Sequence, residues 1–223
     1  MSERLVGILI DALPKLLMYG VTVTIPLTIL SFSLALVIAV IVAMIQYANI
    51  PILKELCRFY IWIIRGTPLL VQLYLVFYGL PSLGILLDAY PTAVIVFGFN
   101  EGAYMAESLR GALESVPKGQ LEAGYCVRMT YLQIMWHIVL PQAFRVAFPS
   151  LSNSLISMVK GTSLAATITV TEMFKEAQVI NGRVYESLGL YTEVAAIYLI
   201  FCSLLTIVQR KMEKRLSSYG GQK

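Results

Sequence analysis

From Leu16 to Ile45, thirty consecutive residues carry no formal charge. A helix needs only about 20 apolar residues to cross a bilayer core of about 30 Å, so this run points away from a water-facing domain. A second uncharged run extends from Gly66 to Leu87. Composition agrees: 13% of the 223 residues are charged, against about 25% in a soluble domain, and mean hydropathy is +0.76. The expectation is an all-α membrane protein with one domain over 1–223. The first run is far longer than a signal h-region and lacks a convincing cleavage site, so it is expected to stay as a span.

Spans are expected at about 16–45, 60–82, 89–112, 142–168 and 190–209. Pro51, Pro81 with Gly84, Pro117 and the polar run around Asn181-Gly182 punctuate the connections. Five spans put the termini on opposite sides. The positive-inside rule selects a cytoplasmic carboxyl terminus. That side then holds Lys54, Arg58, Arg110, Lys118, Arg128, Arg145 and a basic tail over about 210–223 (Arg210, Lys211, Lys214, Arg215, Lys223), whereas the outer side holds Arg4, Lys15, Lys175 and Arg183. The acidic residues Glu172, Glu176, Glu186 and Glu193 fall in the outer segment 170–193. A net charge of +4 without a basic stripe interleaved with aromatics gives no reason to expect nucleic acid. Cys57, Cys126 and Cys202 are odd in number and widely spaced, and read as small buried hydrophobes.

Between the third and fourth spans lies a segment of about 115–141 that is neither a clean span nor a linker. Pro117 and Pro141 mark its boundaries. Drawn as one straight helix, its apolar residues fall on every side, so two short helices with a bend are expected. His137, the only histidine, has no second ligand nearby and reads as an interfacial ring.

The residues of this segment, "EAGYCVRMTYLQIMWHIVLP" (122–141), resemble the EAA loop of binding-protein-dependent ABC importer permeases. Around it, "RGTPLLVQ" (65–72), "AYMAESLRGALESVPKGQLEA" (103–123), "LPQAFRVAFPSLSN" (140–153) and "KGTSLA" (160–165) resemble the branch that imports polar amino acids, the histidine/glutamine/arginine/cystine group. The similarity covers about 13–215. It implies a type I ABC importer transmembrane domain of about five helices in a bacterial cytoplasmic membrane, with the loop as a cytoplasmic coupling helix docked on a separate ATPase dimer. Gly119, Gln120, Glu122, Ala123, Arg128, Leu140 and Pro141 are the coupling candidates. A second permease copy or paralogue and an extracytoplasmic solute-binding protein are the other implied partners. The chain departs from the family pattern at Gly124, which replaces the second Ala, and at Arg128, which replaces the usual Gly. If that position is left-handed, a side chain there costs about 1–2 kcal/mol. The alternative reading of the segment is an amphipathic helix lying on the membrane.

No "GxxxxGK[ST]" phosphate loop occurs in the chain. "KGTS" at 160–163 lacks its first Gly and places Lys ahead of its Gly. ATP and Mg are therefore expected on the partner, with no cofactor, metal site or catalytic residue on this chain.

Charges inside a membrane are costly and are functional candidates by default. Arg65, Glu101 and Lys160 fall near one depth by residue count from the membrane faces. A free amino acid is a zwitterion. Arg65 or Lys160, with Thr67, Thr162 or Ser163, would supply donors for its carboxylate, and Glu101 and Asn153 acceptors for its ammonium. Gly66 and Pro68 would break the helix beside Arg65, which is tolerated at depth where a cavity is lined. The competing reading is that Arg65 or Lys160 pairs with Glu101 to register two spans. Glu107 and Arg110, one turn apart, read as a local pair. An ion-gradient carrier, with Glu101 carrying a proton, is the main rival function. A membrane-embedded enzyme would want clustered His, Cys or paired carboxylates.

Overall fold

The computed structural model describes residues 3–218, which are helical apart from short connections. The first helical pass joins α1 (Glu3–Tyr19) to α2 (Ile25–Tyr47) through one π turn, Gly20–Thr24, and runs unbroken over 45 residues. The second consists of α3 (Pro51–Gly66) and α4 (Leu69–Tyr74), followed by a π turn and a 3-10 turn ending at Leu83. The third is α5 (Ala89–Glu114). Two short helices follow, α6 (Lys118–Cys126) and α7 (Tyr131–Ile134), then α8 (Leu140–Gly161), α9 (Met173–Val184) and α10 (Ser187–Ser218).

Each expected span has a helical counterpart, but among the described residues only Glu3–Tyr47 and Ser187–Leu216 are long and apolar enough to cross by composition alone, or three passes if α3 and α4 count as one broken span. Helices α5 and α8 carry polar side chains along one edge, which lowers their hydropathy while leaving them long enough. The second pass is not straight over 60–82. It starts at Pro51 and bends by 103° between Gly66 and Leu69, because Pro68 has no amide hydrogen to continue the ladder and holds Thr67 extended at φ −120° and ψ 143°.

The fourth pass also differs from 142–168. Helical geometry begins at Tyr131 and runs through a π turn, Met135–Val139, into α8. Pro141 is therefore no boundary: it occupies the first turn of α8, where the helix already steps around a missing donor. Beyond Gly161 the chain narrows to a 3-10 turn, Thr162–Ile168, and stops at left-handed Thr169. The segment 170–193 is not a loose outer connection, since α9 packs against α1 and α10. Arg210 to Arg215 lie on the last turns of α10, and Lys223 of the expected basic tail lies outside the described residues.

The most extensive seam joins α2 to α5. Ala35, Ala39 and Ala43 on α2 are buried and repeat every four residues, as do Gly98, Gly102 and Ala106 on α5, and Gly102 lies against the Ala35 carbonyl. A Cβ on Gly98 would lie 2.6 Å from Leu34 Cδ2, and one on Gly102 would lie 3.0 Å from Ile38 Cγ2. Without water to drive association, such small residues let helix backbones approach and gain dispersion contact. The seam fixes the rotation of α5. Asn100, two residues from each glycine, lies on the far side of the helix, and Glu101 looks sideways toward α8.

Candidate functional site

That rotation places a polar groove between the carboxyl end of α3, the middle of α5 and the middle of α8. Its volume is about 420 Å³, and Arg65, Glu101, Tyr104, Glu107, Ser108, Ser150, Asn153, Ser154 and Ser157 line it. Glu101 on α5 and Ser154 on α8 face one another across it. Ser150 donates to Ser108 at 2.9 Å, tying α8 to α5. Arg65 stands 5.1 Å above the Tyr104 ring, and its Nη1 is 3.7 Å from Glu107 Oε2. A smaller cavity of about 60 Å³ adjoins at Glu101 and Ser157, and Asn100 reaches it.

Of the residues singled out in the sequence, Arg65, Glu101 and Asn153 meet in this groove. Arg65 pairs with Glu107 rather than with Glu101. The expected local pair is present, with Arg110 Nη2 3.1 Å from Glu107 Oε2, and Arg110 also holds Glu114 at 2.8 Å. Asn153 Oδ1 accepts from Gln209 of α10 at 3.2 Å. Lys160 is exposed and lines neither cavity. Three hydroxyls are occupied by backbone instead. Thr162 donates to the Val159 carbonyl at 2.7 Å and Ser163 to the Lys160 carbonyl at 2.8 Å, covering oxygens released where α8 tightens to 3-10. Thr67 donates to the Ile63 carbonyl at 2.9 Å.

The groove's serines and Tyr104 escaped the search for charges. A periodic signal was available: Ser150, Ser154 and Ser157 on α8, and Glu101, Tyr104 and Ser108 on α5, recur at three and four residues, which makes a polar stripe on each helix.

A second polar cluster lies apart from the groove and is closed. The fully buried carboxylate of Glu172 caps α9, accepting from the Lys175 amide at 2.7 Å and from the Tyr198 hydroxyl at 2.8 Å. Thr24, buried at the end of the π turn, accepts from the Met173 amide beside it at 3.3 Å.

The segment between α5 and α8 folds as two short helices with a bend. Arg128 at the bend has φ 60°. Its amide donates to the Tyr125 carbonyl at 2.9 Å, and the Met129 amide to Gly124 at 3.0 Å, the paired bonds of a Schellman ending with Arg in place of the usual Gly. Gly124 is needed for a different reason, since its Cβ would lie 2.7 Å from Ile134 Cγ1 and keep α7 from folding back. Thr130 and Gln133 then form a capping box that starts α7. Burial, then the neighbouring Tyr47 and Tyr125, raise the Tyr131 phenol above its ordinary range. Gly119, Gln120, Glu122, Ala123, Arg128 and Pro141 are exposed and Leu140 is half-buried. Tyr125, Val127, Leu132 and Trp136 add large exposed apolar surface beside them. Cys126 is exposed here, unlike buried Cys57, so the reading of all three cysteines as buried does not hold. His137 is exposed, with Nδ1 3.0 Å from the Gln133 carbonyl.

Comparison with known proteins follows the same lines. The model of the family "Binding-protein-dependent transport system inner membrane component" matches residues 35–218. The chain is 47% identical over 201 residues to the L-cystine transport system permease protein TcyB of Bacillus subtilis (strain 168), covering 90% of this chain and 86% of that one. It is 41% identical to the probable amino-acid ABC transporter permease protein PatM of Vibrio harveyi, covering 94% and 95%. Among solved structures, an amino acid ABC transporter with histidines superposes with a TM-score of 0.81 at 29% identity over 95% of each chain. The MetNI methionine ABC transporter in an inward-facing form shares the fold, with a TM-score of 0.74 at 18% identity over 97% of this chain and 99% of that one. The broken second pass, the bent loop before α8 and these likenesses meet in one assignment: the chain belongs to the family of binding-protein-dependent transport system inner membrane components.

Proposed function

We propose that this chain is the transmembrane permease subunit of an ATP-driven importer that translocates a polar amino acid. An extracytoplasmic binding protein delivers the solute, and an ATPase dimer carrying ATP and Mg supplies the energy. Two permease chains, identical or paralogous, complete the path, since one groove open on a side cannot enclose a solute. The 115–141 segment is the coupling element. Its exposed Glu122 and the apolar side chains around it suit a protein cleft better than a lipid headgroup layer. The carboxyl terminus and the coupling segment face the cytoplasm. They share one end of the bundle, for Phe144 and Met212 line a common apolar cavity near it, while Arg4 reaches the Val184 carbonyl at the other.

The observation that carries the reading is the polar groove. It places two carboxylates, a guanidinium, a phenol, four serines and an amide in one cavity beside a broken helix. Glu101 receives the ammonium of the zwitterion and Arg65 the carboxylate, while the serines and Asn153 orient it. Arg65 is free to turn, because its pair with Glu107 is long and half-exposed, and such pairs contribute about 0–1 kcal/mol. The purified permease with its ATPase and binding protein in liposomes should take up solute only with ATP. Uptake without ATP that follows a proton gradient would replace this reading with an ion-driven carrier. Glu122→Ala should lower the stimulation of ATP hydrolysis by loaded binding protein while the complex stays assembled. Full stimulation in that variant would remove the coupling role.

A further inference from the structure

Gln72 lies in the first turn and a half of α4, beyond the break in the second pass. Its side chain folds back across that break. Nε2 is 2.8 Å from the Ile64 carbonyl, 3.1 Å from the Thr67 carbonyl and 2.8 Å from Thr67 Oγ1. Three oxygens around one nitrogen fix which end of the amide points there. The other end, Oε1, accepts from Asn100 Nδ2 at 3.0 Å. Asn100 is 7% exposed on α5, next in sequence to Glu101, and it lines the small cavity that opens into the groove.

We propose that Gln72 and Asn100 form a clasp that sets the bend between α3 and α4, making both positioning residues for translocation. Helix α3 ends with oxygens that Pro68 leaves unpaired, and a lipid-exposed helix end cannot keep such groups bare. Gln72 satisfies them and so ties the end of α3 to the start of α4. Asn100 anchors the tie to α5, the helix that carries Glu101. Arg65, one residue past Ile64, is therefore held at a fixed depth relative to Glu101. At the other end of the same helix, Lys54 and Arg58 line a cavity with Arg110 and Glu114. A change at the groove that shifts Asn100 is transmitted along α3 toward that end.

This inference rests on the proposed solute groove, and the test separates the two. In the assembled complex, Asn100→Leu and Gln72→Met remove the amides at similar volume. Asn100→Gln keeps the donor and has the adjoining cavity of about 60 Å³ to hold its extra methylene. Spin labels replacing Leu56 and Leu75, both exposed on either side of the break, report the bend. The expected result is that Asn100→Leu and Gln72→Met broaden the distance distribution and lower maximal uptake about tenfold, the effect of one unmade buried hydrogen bond. The KM for loaded binding protein stays within about twofold, since that encounter precedes solute entry, and Asn100→Gln retains both properties. Unchanged distances and uptake in Asn100→Leu and Gln72→Met overturn the clasp. So does failure of both variants to assemble, which would make the pair a part of the fold alone. Absence of ATP-dependent uptake in the unsubstituted complex would instead strike the function reading.

Discussion

The polar clusters around Glu172 and around Glu101 are built on opposite plans. Around Glu172 every contact is internal. The carboxylate is sealed from solvent, its partners come from α9 and α10, and Thr24 of the π turn holds the neighbouring Met173 amide. Around Glu101 the side chains surround open space. Arg65, Tyr104 and Asn153 are exposed, and Ser150 reaches Ser108 beside a cavity of about 420 Å³. A satisfied and closed polar network specifies packing, whereas polar groups gathered around an opening retain bonding capacity for something else. Residue type does not separate the two, since each is centred on a glutamate: Glu101 stands in the middle of α5 and Glu172 at the start of α9.

The largest effect follows from removing the sealed carboxylate. Glu172→Leu leaves the Tyr198 hydroxyl and the α9 amides without their acceptor. Each such loss costs about 1–3 kcal/mol, and the loss of an N-cap about 1 kcal/mol. The variant should melt far below the parent in detergent and recover poorly as a complex. A Glu172→Leu complex with an unchanged melting temperature and no uptake would break the comparison by moving this cluster to the functional side.

Removal of the open carboxylate should act in the reverse sense. Glu101→Ala is expected to lower uptake about 10- to 100-fold, the range for a hydrogen bond to a charged group. Melting and assembly should stay close to the parent, because the groove already admits solvent. Ser154→Ala, which removes a hydroxyl from the groove wall facing Glu101, should lower uptake by only a few-fold. Equal effects of both substitutions would sharpen the site toward Ser154 as a direct contact.

Legibility in the sequence followed the same division. The apolar runs located the passes, because hydrophobic length is a property of composition. One of two breaks is readable: Gly66 and Pro68 announce the interrupted second pass, though not its 103° angle, while nothing marks Thr162–Ile168 as 3-10. The bend at Arg128 was located by resemblance, and its cost is visible in a φ of 60°. Gly124 does not stand in for it, since that residue serves the close approach of Ile134 and not the left-handed bend. The groove was harder. A search for intramembrane charge finds Arg65 and Glu101 but cannot tell which charges face one another, as that depends on helix rotation. The rotation of α5 is set by Gly98 and Gly102 against α2, a contact between uncharged residues. Glu172 escaped for the converse reason. A carboxylate in a polar-looking segment gives no sign that α1 and α10 will close over it.

Lys160 tests how far charge alone can define a site. By residue count it lies at the depth of Arg65 and Glu101, and a residue count cannot distinguish it from them. In the fold it sits on the last turn of α8, exposed, outside both the groove and the adjoining cavity. Its nearest polar event is on its own carbonyl, which accepts from Ser163 at 2.8 Å and does not need the ammonium. An exposed cation without a role in the groove contributes less than about 1 kcal/mol, so Lys160→Ala should change uptake by less than about fivefold. The measurement belongs beside Glu101→Ala in the same liposomes. If the lysine variant loses as much transport as the glutamate variant, the groove is wider in the working complex than in the single chain, and a second permease chain brings Lys160 to its wall.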